Sequence, residues 1–338
     1  MSKLDLTAVV PGDQIDDEPF VLARKVQGTT TDGRPYFSIT LRNGTGSISG
    51  RIWQERLSLL DGVGEGDPVS ISGRIKPGFK SGPPEIDIYT VKKLDRSHPI
   101  MQCLNPVCPV PLETLQDHYD ALVSTLSAPW RAFLDAFFTV GCPWEDYISA
   151  PAAVTNHHAY IHGLFEHHIE VAETALQIGE AYASQARIDR DLVIVGALIH
   201  DSGKTVEYEW KGCPIRMSEF GLMGNHMVFG PQQVERTWVL EQERLQKAGL
   251  SRKDLHLIEH IQMSHHGKPE WGAVCTPRFL EAQIVHHADL ISAEMRMMLD
   301  AIQNGTPSRD GWVNGGVHFR DLYVGPSALS LAPVPATT

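Results

Sequence analysis

The sequence predicts an α+β chain of two domains, a small closed β-barrel followed by an all-helical bundle. Two observations carry this expectation. Within the first hundred residues, five short runs alternate apolar with polar side chains, the period of a half-buried strand. Beyond residue 150, apolar residues recur at helical spacing, and thirteen of the sixteen histidines crowd between His157 and His287. Random placement would scatter them along the chain, so the helical half is expected to hold a metal site.

The five runs are Phe20 to Val26, Tyr36 to Arg42, Ser47 to Trp53, Pro68 to Ile75 and Glu85 to Val91. Asn43-Gly44-Thr45-Gly46 signals a hairpin between the second and third, and a Gly/Lys/Pro segment from Lys76 to Pro84 separates the fourth from the fifth. Five short strands so connected predict an OB-fold over residues 1–95. Alternation places Phe37, Ile39, Leu41, Ile48 and Ile52 inside the barrel and Tyr36, Arg42, Arg51 and Trp53 outside it. An outward set of aromatic and arginine side chains is what single-stranded nucleic acid stacks and pairs on. Tyr36, Arg51 and Trp53, with Phe79 and Lys80 from the last long loop, are therefore the candidate nucleic-acid contacts, against the plainer reading of an ordinary barrel exterior.

Residues 96–150 read as a proline-containing linker and connecting helices, with Leu122, Leu126, Phe133, Phe137 and Phe138 forming a core stripe. Residues 151–303 are expected to form the helical domain. Gly163 to Leu176 is amphipathic, with His167 at the edge of its apolar face, and its Glu166 is expected on the solvated side. Asp191 to Ile199 is an apolar helix that ends in His200-Asp201, followed by Ser202-Gly203-Lys204. His226 follows a turn-rich stretch, Leu255 to His266 is a helix ending in paired histidines, and Phe279 to Ala293 is a helix with Asp289 among apolar neighbours. Residues 304–338 form a Gly-, Pro- and Ser-rich extension whose end is expected to be disordered.

Five elements thus each offer an inward imidazole or carboxylate, in the order His, His-Asp, His, His-His, Asp. Mixed imidazole and carboxylate donors suit Mn, Fe, Co, Ni or Zn better than Mg or Ca. This order resembles the HD-domain superfamily of metal-dependent phosphohydrolases. The strings Asn-His-His, Gly-Leu-Phe-Glu-His, His-Asp-Ser-Gly-Lys, Ser-His-His-Gly-Lys and His-Ala-Asp are most similar to its YhaM-type 3'-to-5' exoribonucleases, over roughly residues 150–300. That family also joins an OB-fold to an HD domain.

The resemblance implies one ion held by His167, His200, Asp201 and Asp289, and a second held by Asp201, His226, His265 and His266. Asp201 would bridge two divalent transition-metal ions, with Mn expected and Co, Ni, Fe or Mg as substitutes. Such a pair activates water for in-line displacement at phosphorus, so no protein nucleophile is needed. Lys204 is expected to meet the non-bridging phosphate oxygens. His158 is the candidate acid for the leaving oxygen, His157 a phosphate contact, and Trp271 a stacking residue at the mouth of the site. His162, His168, His256, His260, His286 and His287 fall outside the ligand set.

The expected activity is hydrolysis of single-stranded RNA, and also DNA, to 5'-mononucleotides. The alternative is a small-molecule HD enzyme: a nucleotide phosphohydrolase, a cyclic-dinucleotide phosphodiesterase or a di-iron oxygenase. A net charge of -12 opposes a bulk electrostatic grip on nucleic acid, although Arg24, Lys25, Arg51, Arg74, Lys76 and Lys80 make the barrel locally more basic. The longest apolar run, Leu192 to Ile199, is too short to cross a membrane, and no signal peptide opens the chain. Five cysteines without zinc-site spacing point to reduced thiols and a cytoplasmic location, and the C-terminal aromatics point to a homo-oligomer.

Overall fold

A computed structural model describes residues 4–78, 83–155, 157–309, 311–315, 319 and 321–325. It divides into two compact units, residues 1–106 with 210–214, and residues 107–209 with 215–338. Phe79, Lys80 and the last ten residues lie outside the described residues.

The first unit is a closed barrel of β1 (Gln14–Thr29), β2 (Pro35–Asn43), β3 (Gly46–Trp53), β4 (Pro68–Lys76) and β5 (Glu85–Lys93), in the order β1-β2-β3-β5-β4. This is the order of an OB-fold, closed by a short parallel contact of Ser49 with Glu85 and Gly50 with Ile86. Asn43 pairs with Gly46 across the expected two-residue hairpin. β1 begins six residues before its apolar run. The register shift between Ile15 and Glu18, with Pro19 next to it, interrupts the alternation that a sequence pattern depends on. Phe20, Leu22, Ile39, Leu41, Ile52 and Ile71 fill the interior. The segment after β5 is more than a linker, because a single 3-10 turn at Pro99–Cys103 seats Ile100 and Leu104 against Val21. Contacts so few carry no periodic signal.

The second unit is helical. Its helices are α1 (Leu112–Ser124), α2 (Ala128–Ala136), α3 (Trp144–Ser149), α4 (Gly163–Tyr182), α5 (Arg190–Ile199), α6 (Lys204–Glu207), α7 (Glu219–Met223), α8 (His226–Ala248), α9 (Arg252–Ser264) and α10 (Leu280–Asn304). Between α6 and α7 lies a small ribbon of β6 (Tyr208–Glu209) and β7 (Arg216–Met217). α5 is buried on every side from Leu192 to Ile199, which is why its sequence is apolar throughout rather than amphipathic. Asp189 caps it, accepting from the Leu192 amide at 3.1 Å.

Against the expectation of an edge position, the first half of α4 is buried all round, Glu166, His167 and His168 included. The extension forms a three-stranded sheet of β8 (Thr306–Arg309), β9 (Trp312–Asn314) and β10 (Asp321–Tyr323), with the Trp312 and Tyr323 rings 5.1 Å apart. Strands of three or four residues are too short to show alternation. No helix among the described residues is long and apolar enough to cross a membrane.

Candidate metal centre

The ends of four helices and the middle of a fifth converge on one carboxylate. α5 delivers His200 and Asp201 at its C-terminus, α8 begins with His226, α9 ends just before His265 and His266, α4 supplies His167, and α10 supplies Asp289. Asp201 divides its two oxygens between two groups. Oδ2 lies 3.7 Å from Nε2 of both His167 and His200, which in turn stand 3.1 and 3.6 Å from Asp289 Oδ1. Oδ1 lies 3.3 Å from His226 Nε2 and 3.1 Å from His265 Nε2, and His226 Nε2 is 3.3 Å from His266 Nε2. Donors bonded to one ion at about 2.1 Å stand roughly 3 to 3.5 Å apart, and the pairs here, at 3.1 to 3.7 Å, lie close to that spacing.

Proton accounting shows that the set suits cations. Nδ1 of His200, His265 and His266 faces the carbonyl oxygens of Ala197, Gln262 and Trp271 at 2.8, 2.8 and 2.9 Å, so each must carry the proton and donate it. His226 Nδ1 is 2.5 Å from Glu207 Oε2. Ser292 Oγ spends its single proton on Glu170 Oε2 at 2.8 Å, so His167 Nδ1 donates to Ser292 Oγ at 3.1 Å. In the neutral rings every Nε2 is then a lone pair pointing inward. The lone pairs of His226 and His266 face each other, and that of His167 faces a carboxylate, which is repulsive without a cation. Buried Nε2 of His167, His200 and His265, and Oδ1 of Asp201, have no hydrogen-bond partner among the described residues. Burial pushes His265 down to about 3 and lowers His167, which keeps both rings neutral.

Lys204 Nζ lies 2.5 Å from Asp201 Oδ2. Burial is the largest single influence and disfavours its ammonium, but Asp201, Tyr208 and Asp289 together outweigh burial and hold its pKa above the ordinary lysine value. Burial likewise opposes the Asp201 carboxylate, and the Lys204 ammonium, the largest of the opposing influences, holds it well below the usual range. Gly203 makes the turn between them possible, since a Cβ there would lie 2.3 Å from the His226 carbonyl oxygen. A cavity of about 240 Å³ opens onto the group, lined by His157, Asp201, Lys204, His266, Trp271 and Asp289 among others. Trp271 is half exposed, with Lys268 Nζ 4.5 Å from the centre of its ring.

The remaining candidates are distributed differently. His158 is fully buried and faces Glu170 and Glu166 at 3.2 and 3.7 Å, apart from the cavity lining. Glu166, expected on a solvated helix surface, is buried and accepts from the Tyr160 hydroxyl. Sequence reasoning placed it by the apolar stripe alone and missed that the loop before α4 covers the opposite face. Glu207, Ser292 and Gln262 also escaped notice, because each supports a residue distant in the chain. His256 is exposed, whereas His168 and His286 are buried and hydrogen-bonded to the Tyr147 hydroxyl and the His265 carbonyl.

On the barrel, Tyr36 and Trp53 pair across β2 and β3 with ring centres 5.4 Å apart, and Trp53 is 40% exposed. The Tyr36 ring lies over Gly28, where a Cβ would come within 2.5 Å of it. Arg51 is engaged by Glu85 at 3.4 Å, which also meets Lys76 at 3.7 Å.

The HD domain family model matches residues 164–294, the span that holds all seven converging residues. Three relatives named 3'-5' exoribonuclease YhaM align over nearly the whole chain. That of Listeria monocytogenes is 24% identical over 90% of this chain and 93% of its own length. That of Bacillus subtilis is 24% identical over 88% and 90%, and that of Oceanobacillus iheyensis 26% identical over 88% and 89%. Among solved structures, the second OB-fold domain of replication protein A from Methanococcus maripaludis aligns with 28% of this chain and 96% of its own, at 23% identity and a TM-score of 0.22.

Proposed function

We propose, from a chain that is an HD-domain protein of the YhaM type, that its centre hydrolyses single-stranded RNA from the 3' end to 5'-mononucleotides with divalent metal. The observation that carries this reading is the division of Asp201, one carboxylate oxygen to each of two donor groups. His167, His200, Asp201 and Asp289 would hold one ion, and Asp201, His226, His265 and His266 the other; the mixed imidazole and carboxylate donors suit divalent transition metals over Mg or Ca, and manganese is the choice the family resemblance implies. When bound, such ions lower the pKa of water and neutralise charge on a phosphoryl group.

The chain's own side chains account for the rest. Asp201 faces four imidazoles that are oriented through their Nδ1 atoms, and it keeps Lys204 charged; the Lys204 ammonium faces the cavity where the non-bridging phosphate oxygens would sit. His157, pushed down to about 3 chiefly by burial, is a neutral hydrogen-bonding group in the same lining and is assigned the phosphate contact. His158 is too enclosed to reach a leaving oxygen and is not retained as the acid. Trp271 offers a ring for the terminal base, and on the barrel the Tyr36–Trp53 pair offers a stacking platform for single-stranded nucleic acid. Arg51 contributes less than its position promised, since Glu85 already neutralises it.

The net charge of -12 favours a second reading, a small-nucleotide phosphohydrolase. Incubation of the protein and Mn with 3'-labelled and 5'-labelled single-stranded RNA separates the two. Exonuclease action from the 3' end releases 3' label at once as a mononucleotide and turns 5' label into a descending ladder. Intact RNA beside hydrolysed small nucleotides would replace the first reading with the second.

A further inference from the structure

Next to the seven converging residues lies a cluster that the exonuclease reading does not use. Glu166 and Glu170 sit one turn apart on α4, on one face, and the fully buried His158 projects between them. His158 Nε2 is 3.2 Å from Glu170 Oε2 and 3.7 Å from Glu166 Oε2, and all three donor atoms lie within 4.8 Å of one another. Like charges one helical turn apart repel, and a buried carboxylate requires a compensating charge. No lysine or arginine nitrogen is within 4.0 Å of either carboxylate among the described residues; Arg296, bonded to the Tyr160 hydroxyl at 2.7 Å and to Asp300 at 3.5 Å, acts on both carboxylates only from a distance and supplies one charge against two. Each carboxylate has one hydroxyl donor, Tyr160 for Glu166 and Ser292 for Glu170. Among the described residues, neither nitrogen of the buried His158 ring has a hydrogen-bond partner.

We propose that His158, Glu166 and Glu170 form a further divalent-cation site, beside but separate from the Asp201 centre. The spacing of the donors matches that within the Asp201 groups, one imidazole and two carboxylates suit Mn, Fe or Zn, and a dication balances the two carboxylates. Glu170 is partly exposed, with 39% of its side chain accessible, and gives the ion an entrance and room for water ligands. The site stands whether the substrate is RNA or a small nucleotide. Its position, with the His158 and His167 rings 5.4 Å apart, puts an additional positive charge beside the first ligand of the Asp201 centre.

The test counts manganese bound per chain after equilibrium dialysis of the full-length protein, by elemental analysis, in wild type, Glu170→Gln, His158→Gln and Ser292→Ala. Glu170→Gln and His158→Gln should each bind one ion fewer than wild type, or bind that ion at least tenfold more weakly. Ser292→Ala, which cuts the link from Glu170 to His167 but leaves the three donors in place, should keep the wild-type count. The isosteric Glu170→Gln at a part-exposed position carries the test should His158→Gln fold poorly. An unchanged count in Glu170→Gln overturns the proposal and makes the cluster an imidazolium–carboxylate pair. Loss of the same ion in Ser292→Ala also overturns it, because the ion would then depend on the orientation of His167.

Discussion

Replacing Gly203 by alanine isolates the role of the turn that follows His200-Asp201. The backbone there is right-handed helical, φ -58° and ψ -18°, so alanine meets no conformational penalty. Space is the obstacle. A Cβ would stand 2.3 Å from the His226 carbonyl oxygen, 2.7 Å from the Gly230 nitrogen and 2.8 Å from the His226 Cα, where ordinary contact begins near 3.4 Å. All three atoms are backbone of the first turn of α8, so that turn must retreat by about 1 Å. Overpacking of this kind costs about 1 to 3 kcal/mol of stability. The larger effect falls on chemistry, because His226 Nε2 is one of the donors around Asp201 Oδ1, and a misplacement of about 1 Å can cost on the order of 100-fold in rate. Initial rates on single-stranded RNA at saturating Mn, with melting temperature measured alongside, read both effects. Gly179→Ala is the control: its nearest neighbour is 3.8 Å away, so it should leave the rate unchanged and stabilise α4 by roughly 0.5 to 1 kcal/mol. A Gly203→Ala enzyme within twofold of wild type would refute the packing argument.

Asp201→Asn should abolish hydrolysis and lower bound manganese by at least one ion per chain while preserving the helical circular dichroism; near-normal turnover would rule out a bridging role. His226→Ala and His266→Ala should each cost orders of magnitude in rate, whereas exposed His256→Ala and His287→Ala should change it less than threefold, and equal losses at all four would show that the donor set is wrongly chosen. Tyr36→Ala with Trp53→Ala removes a stacking platform, for which each lost base contact amounts to roughly 1 to 3 kcal/mol. The Michaelis constant for a 20-mer should rise at least tenfold with turnover of a dinucleotide unaffected; equal loss on both substrates would make the pair merely structural. Burial, the largest influence at each site, pushes the thiols of Cys108 and Cys142 up to about 12, so neither should react with iodoacetamide at pH 8 until the protein unfolds, as peptide mass spectrometry would read.

The sequence by itself determined those features whose cause is local or periodic. Alternation over Tyr36 to Arg42 and Ser47 to Trp53, with a two-residue turn between them, suffices to place Tyr36 opposite Trp53. The unbroken apolar run before His200 suffices to make α5 a buried helix that carries its ligands at its end. Tertiary structure alone decided what depends on contacts between distant segments. The division of Asp201 between two donor groups was anticipated only through the family resemblance; physically it depends on how α4, α8, α9 and α10 meet α5, and no spacing within the chain encodes it. The protonation of the imidazoles was settled by carbonyls, by Glu207 and by Ser292, the last of these 125 residues from the His167 it holds. Glu166 is the plainest instance. Its place on the helical wheel is polar and implies solvent, but the segment carrying His158 and Tyr160 covers that face and turns a surface carboxylate into a buried one, and burial is a property of the whole packing rather than of any residue's neighbours in sequence.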